Sequence, residues 1–363
     1  MEHENFAFKT EGEGINVLSL FDGMSCGQIA LQKLGIKVKN YFASEIDKYA
    51  IQVTKSNFPE TIHIGDVTKV DANLLPKIDL LIGGSPCQGF SFAGKGLNFD
   101  DPRSKLFFEF VRIKNECEPT YFLLENVKMK YEHELVISKY MGVEPIEINS
   151  QLVSAQNRVR LYWSNINEKP YGLFGDMKPD IPQPKDRGII LKDILEQDVS
   201  DKYILSQIAV KKIIRRNWSV PRIEPLKTGA ILPKNNSGQL SVDSGTTLIR
   251  CVAMRGRNAE NPNSRVSGLP TQQHLEPRND GKTNCLTSVQ KDNLLQVGDV
   301  VRRLTELECE RLQTVPDNYT NFVSSTQRYK MLGNGWTVDV IAHILSFMRV
   351  GVLNAKFLHQ TSL

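Results

Sequence analysis

The chain has 363 residues, 40% hydrophobic and 24% charged, with a net charge of +4. That is ordinary globular composition, long enough for one large domain and a smaller one. No apolar run approaches the ~18 residues of a membrane span, and the acidic start MEHENFAFKTEGEG is no signal peptide, so no membrane is expected and the cytoplasm is the expected location.

In chain order, INVLSLF, NYFASE, TIHIG, IDLLIGG, TYFLLEN, VEPIEIN and VRLYWSNI read as seven strands, with helices over residues 27–34, 48–57 and 104–117. Strand–helix alternation with continuous apolar strands predicts an α/β fold: a mostly parallel, Rossmann-like sheet covered on both faces. From about Lys169 the texture changes. Prolines 170, 179, 182 and 184, then many Asn, Ser, Gly and Thr, predict a loop-rich region of short strands. Helical patterns return over residues 305–313, 325–332 and 336–350. The expected division is a tail at 1–14, a first domain at 15–168, a smaller lobe at 169–300, a return to the first domain at 301–350 and a tail at 351–363.

Charge follows this division. Between Lys211 and Arg265 stand eleven Lys/Arg against three acids, a local balance of +8 that leaves −4 for the rest. Such a segment is either a solvated surface or a footprint for a phosphate backbone. The six cysteines (26, 87, 117, 251, 285 and 309) occur singly, with no C-x-x-C and no His at ligand spacing. Reduced thiols are expected, and no metal.

The first strand ends in FDGMSCG, a glycine turn at the edge where open α/β sheets bind ligands, but not the G-x-G-x-x-G dinucleotide fingerprint. Glu45 ends the second strand, 23 residues after Asp22, where an acid takes ribose hydroxyls. Asp66 and Val67 follow the third. Each is weak alone; together they favour an adenosine-containing cofactor without a pyrophosphate, such as S-adenosylmethionine. Cys87 follows the fourth strand in GGSPCQGFSFAGKG, behind a proline on a Gly/Ser-rich loop, where a structural cysteine would sit in the strand instead. Glu125 ends the fifth strand, either as a cap or as a proton donor set against an apolar run. Arg158 and Arg160 alternate in SAQNRVRLYW and so share a face, which suits a phosphate or a carbonyl oxygen.

These residues resemble the cytosine-5 DNA methyltransferases. Pro86-Cys87-Gln88, Glu125-Asn126-Val127, Gln156-x-Arg158-x-Arg160, RRLTELECERLQTVPDNY (residues 302–319) and LGNGWTV (332–338) match that family's blocks in order and spacing. The FDGxxxG first block, which replaces the more usual F-x-G-x-G, and Trp336 look nearest to vertebrate de novo methyltransferase domains and their bacterial and phage relatives. The resemblance covers roughly residues 15–165 and 300–350.

It implies Cys87 as the thiolate that adds to cytosine C6 and makes C5 nucleophilic. Glu125 would donate to N3 and hold the exocyclic amine, Arg160 would grip O2, and Arg158 would support the base or a phosphate. The cofactor residues carried over are Phe21, Asp22, Gly23, Met24, Ser25, Cys26, Glu45, Ile46 (packing on adenine), Asp66, Val67, Thr68, Asn334, Gly335 and Trp336, for S-adenosylmethionine with S-adenosylhomocysteine as product. Cys26 is read as a pocket residue, not a second nucleophile.

The implied partner is double-stranded DNA carrying a short specific site, whose cytosine is flipped out. A monomer is expected, and a restriction endonuclease partner is left open. Residues 169–300 take the place of the target-recognition region, with Trp218, Arg255, Arg257 and His274 as candidates for contacts. Gly281-Lys282-Thr283 is not a P-loop, because no glycine stands five before Gly281. Only about thirty residues separate Glu125 from Gln156, so one covering helix is expected to be short or missing. The rival readings are a tRNA cytosine-5 methyltransferase, a catalytically silent DNA-binding accessory protein and an NAD-dependent oxidoreductase.

Overall fold

The computed structural model describes residues 8–9, 11–86, 102–173, 175–205, 240–241 and most of 249–349. Seven strands make one sheet: β1 (Ile15–Leu20), β2 (Val38–Ser44), β3 (Ile62–His63), β4 (Leu80–Gly83), β5 (Tyr121–Val127), β6 (Ile146–Asn149) and β7 (Val159–Ser164). Their order is β3-β2-β1-β4-β5-β7-β6, parallel except for the two pairings made by β7. Val17, Leu18, Leu20, Leu80, Leu81, Ile82 and Leu123 are fully buried, which is why these strands read as unbroken apolar runs.

Helices α1 (Cys26–Lys33), α2 (Lys48–Asn57), α3 (Pro102–Cys117) and α4 (Tyr131–Met141) connect them, and α5 (Glu306–Leu312), α6 (Ser325–Asn334) and α7 (Val338–Leu345) close the chain. α1 and α7 pack together on one face of the sheet, while Phe107 and Phe110 of α3 and Ile137 and Met141 of α4 cover the other. No helix among the described residues is long and apolar enough to cross a membrane.

The helix between Glu125 and Gln156 is neither missing nor short: α4 has 11 residues, begins with Glu132 and Glu134 in its first turn and ends on Gly142 at φ 76°. Thirty residues suffice because β6 is only four residues long. An acidic first turn favours the helix dipole, and a left-handed glycine closes the far end.

The topology decides where a ligand can sit. The chain runs β1-β2-β3 toward one edge, then returns to lay β4 on the other side of β1. At that reversal the connections leave β1 and β4 in opposite directions and open a crevice at the carboxyl ends.

Residues after β7 form short antiparallel pieces. β8 (Glu168–Tyr171) pairs with β9 (Asp176–Pro179), and β10 (Asp198–Val199) with β11 (Leu240–Ser241). A four-stranded sheet follows in the order β13-β12-β14-β15, from β12 (Ile249–Asn258), β13 (Thr271–Pro277), β14 (Leu294–Val297) and β15 (Val300–Arg303). Ile181, Leu191, Ile194, Leu286 and Leu295 join the same buried cluster as Val17 and Leu123, so this region shares the core of the large sheet. Among the described residues, Val252, Leu294 and Val301 make a small buried cluster of its own. The β14–β15 hairpin straddles residue 300.

Candidate active site

A cavity of about 430 Å³ opens at the crevice between β1 and β4, within the ~300–1,000 Å³ usual for small-molecule sites. Its wall includes Phe21, Asp22, Gly23, Met24, Cys26, Glu45, Ser85, Pro86, Glu125, Arg158, Arg160, Asn334, Gly335 and Trp336. These come from six separated stretches of chain. The described chain breaks off at Pro86; Cys87 lies outside the described residues.

The β1–α1 turn holds three residues in left-handed conformation, Phe21 (φ 57°), Gly23 (φ 59°) and Ser25 (φ 60°). For Phe and Ser that conformation costs of order 1–3 kcal/mol each and persists only where surroundings enforce it. Here Tyr41 Oη donates to Asp22 Oδ1 (2.8 Å), the Ser25 hydroxyl donates to Asp22 Oδ2, and the Gly23 N–H donates to Glu45 Oε2 (2.8 Å). Glu45 also accepts the N–H groups of Ile46 and Asp47, both at 2.8 Å. Glu45 therefore ties the ends of β1 and β2 together.

Burial pushes the Asp22 carboxyl up to about 6, and the groups acting on it (Ser19, Ser25, Tyr41 and Glu45) include no cation. A desolvated acid in a pocket wall without a cationic partner suits a positively charged ligand. Burial also pushes the Cys26 thiol up to about 12, so at neutral pH it is neither thiolate nor nucleophile. Iodoacetamide at pH 7.5 is accordingly expected to leave Cys26 unmodified in the folded protein and to label it after denaturation, read by peptide mass spectrometry. Labelling of Cys26 in the native state would contradict this environment.

Not every expected cofactor residue lines the cavity. Ser25 is fully buried behind Asp22. Ile46 is 74% exposed and Asp66 caps the turn at Val67–Lys69 through the Thr68 N–H (3.0 Å), while Val67 packs into the core beneath α3. None of Ile46, Asp66, Val67 and Thr68 is in the cavity wall.

The base-handling candidates converge. Arg160 Nε lies 2.9 Å from Glu125 Oε1, with side chains only 14% and 11% exposed. Trp336 Nε1 donates to Glu125 Oε2 at 3.1 Å. The double glycine after β4 now has a cause. A Cβ on Gly83 would stand 2.9 Å from Leu20 O and from the Phe110 ring, and one on Gly84 would stand 2.9 Å from Trp336 Nε1 and 3.0 Å from Glu125 Oε2.

Arg158 lies on the same side as Arg160, both facing Cys285 Sγ at 3.2 and 3.6 Å. Its guanidinium nevertheless donates to Leu286 O (3.1 Å), Gly333 O (3.3 Å) and Gly335 O (2.9 Å). Through these three carbonyls the buried guanidinium pins the α6–α7 corner.

Two other residues here, Gln156 and Gln313, belong to the motif blocks, but the sequence assigns them no role. Gln156 donates to Leu312 O and Gln313 Oε1, both at 3.1 Å, and accepts from Leu286 N (2.7 Å). Gln313 in turn donates to Leu332 O (2.6 Å) and Gly335 O (3.1 Å) and accepts from Thr337 Oγ1 (2.9 Å). Lys282 Nζ donates to Gln151 O, Ser154 O and Ile189 O at 2.9, 3.2 and 2.6 Å, a structural tie and no phosphate ligand. At the rim, Lys330 Nζ meets Asp47 Oδ2 at 2.7 Å.

Of the candidates for DNA contact, Arg257 is paired with Glu276, whereas Arg255 stands 3.8 Å from that acid with a 42% exposed side chain. Arg255 is directly opposite His274 on the β12–β13 ribbon. Trp218 lies outside the described residues.

Known proteins bear on this geometry. The orphan methyltransferase M.SPRI of Bacillus phage SPR is 29% identical, covering 91% of this chain and 96% of its own length. The type II methyltransferase M1.ScrFI of Lactococcus lactis subsp. cremoris is 32% identical over 343 residues, 92% of this chain and 77% of that protein. Among solved structures, a variant of Spodoptera frugiperda DNMT2 shares the fold with a TM-score of 0.57 at 19% identity, over 92% of this chain and 99% of that one. A putative DNA modification methyltransferase encoded within an E. coli prophage does so with a TM-score of 0.53 at 20% identity, over 92% and 98%. The model of the C-5 cytosine-specific DNA methylases matches residues 15–349. With its motifs gathered around one crevice and that match spanning nearly the whole chain, the protein belongs to the C-5 cytosine-specific DNA methylase family.

Proposed function

We propose that the cavity takes S-adenosylmethionine beside a cytosine swung out of duplex DNA, and that Cys87, Glu125 and Arg160 act on that base. The observation that carries the reading is the nearly buried Glu125–Arg160 pair, in one cavity with Pro86, the residue preceding Cys87. Asp22 and Glu45 fit the group as the acids that complement its positive charge and its ribose hydroxyls; Ile46, exposed outside the wall next to Glu45, is left to cover the adenine. Bound S-adenosylmethionine supplies the methyl group as an electrophile and leaves as S-adenosylhomocysteine.

The chain's residues do the rest. The Cys87 thiolate bonds to C6, and the displaced electron pair makes C5 nucleophilic. Glu125 gives a proton toward N3 and accepts the exocyclic amine, while Arg160 holds O2. Once C5 carries its methyl group, N3 returns its proton to Glu125 and water takes the C5 proton. The electrons of that C–H bond form the C5–C6 double bond as the C6–S bond breaks and Cys87 leaves as thiolate.

Arg158 is a positioning residue in this scheme. DNA contact falls to the basic stretch between Lys211 and Arg265 and to the β12–β13 ribbon. Pairing with β14 reaches only Ile249–Val252, so the ribbon continues beyond it as two strands, with Arg255 and His274 side by side. A two-stranded ribbon is narrow enough for a major groove. The protein acts as a monomer on a short site.

Incubation with tritiated S-adenosylmethionine is expected to label duplex DNA and not tRNA, and bisulfite sequencing of that DNA should find one short motif. Labelled tRNA with unlabelled duplex would overturn the reading. Glu45→Ala removes a ribose partner and loosens the β1–α1 turn. Hydrogen bonds to a charged group are worth about 1.5–3 kcal/mol, so S-adenosylmethionine affinity should fall roughly tenfold to hundredfold by calorimetry.

A further inference from the structure

We infer that Trp336 is a positioning residue for Glu125, beyond forming part of the cofactor wall. The inference rests on the reading of Glu125 as the group that grips the target base. The terminal torsion of a glutamate is broad, so a carboxylate held at one oxygen still swivels. Arg160 Nε takes Oε1 and the Trp336 indole N–H takes Oε2, and two donors on opposite oxygens fix the carboxylate plane. An indole has one donor and no acceptor, so this contact uses all the polar capacity of the ring.

The support behind Trp336 is rigid. The carbonyl of Gly335 accepts from Arg158 (2.9 Å) and Gln313 (3.1 Å), and Thr337 Oγ1 is held between Gln313 and Ser150, both at 2.9 Å. Trp336 and Glu125 are 211 residues apart, and Gly84 is where their approach requires the absence of a Cβ. Groups that act on a base must be held close to productive geometry by just such supported neighbours.

The test compares Trp336→Phe, which keeps a ring and removes the N–H, with Glu125→Gln and the double variant. For Trp336→Phe, kcat should fall roughly tenfold to hundredfold, the range for a lost hydrogen bond to a charged group. The KM for DNA and calorimetric S-adenosylmethionine affinity should barely change. The double variant should be no slower than Glu125→Gln, since the indole acts through that carboxylate.

A second readout needs no turnover. The sequence has three tryptophans, and in cofactor-free protein Glu125→Gln should alter indole emission in the wild-type background and not in Trp336→Phe. If Trp336→Phe fails to fold, Gly84→Ala places a methyl group into the same contact and should show the same split. A loss appearing wholly as weaker S-adenosylmethionine binding, additive effects, or emission blind to Glu125→Gln would overturn the inference. Full turnover in Glu125→Gln would instead overturn the role of Glu125, and the emission experiment would still decide the contact.

Discussion

Cys87→Ser is expected to lose methyl transfer by several orders of magnitude while duplex DNA is still bound. A thiol of ordinary pKa, about 8.5, is a few per cent thiolate at pH 7 and strongly nucleophilic in that form, whereas a serine hydroxyl offers almost no anion there. Binding survives because affinity comes mainly from phosphate contacts. A duplex with 5-fluorocytosine at the target separates chemistry from binding. Addition at C6 and methylation at C5 proceed, but fluorine cannot leave as the proton does, so the C6–S bond persists. The adduct should need both Cys87 and S-adenosylmethionine. Near wild-type methylation by Cys87→Ser, or an adduct mapped to Cys26, would be evidence against the mechanism.

Glu308→Ala should be the most damaging change away from the chemistry. Glu308 and Arg302 form an ion pair with side chains 0% and 2% exposed, through contacts of 2.6 and 2.8 Å. Glu308 also accepts the Thr305 N–H (2.8 Å) in the capping box of α5 and the Glu196 N–H (3.1 Å). Removing the carboxylate strands a buried guanidinium, a loss of about 3–5 kcal/mol. Replacing both partners, as in Arg302→Met with Glu308→Leu, leaves no orphaned charge and should cost less than the single change. Urea unfolding midpoints measure both, and a single variant as stable as the wild type would refute the assignment. The pair joins β15 of the small sheet to α5, so its loss should also loosen the corner carrying Gly335 and Trp336.

Much of this protein is legible in the sequence for a definite reason. A strand buried on both faces is mostly apolar, so INVLSL, LLIG and YFLLENV announce themselves wherever they lie in the sheet. The residues of the chemistry cluster in short blocks, because turns at strand ends concentrate reactive groups within a few positions. Periodicity, however, reports that a side chain is buried, not against what.

Only the tertiary structure decided that β4 lies beside β1, which makes the crevice, and that β6 is short enough to leave room for α4. It made Arg158 a clamp on three backbone carbonyls. It joined Trp336 to Glu125 over 211 residues and explained Gly84 by that contact. Each of these depends on a long-range approach between groups with no common local pattern. Such partners are chosen by packing and by the need of buried polar atoms for hydrogen bonds, which act only once the chain has folded.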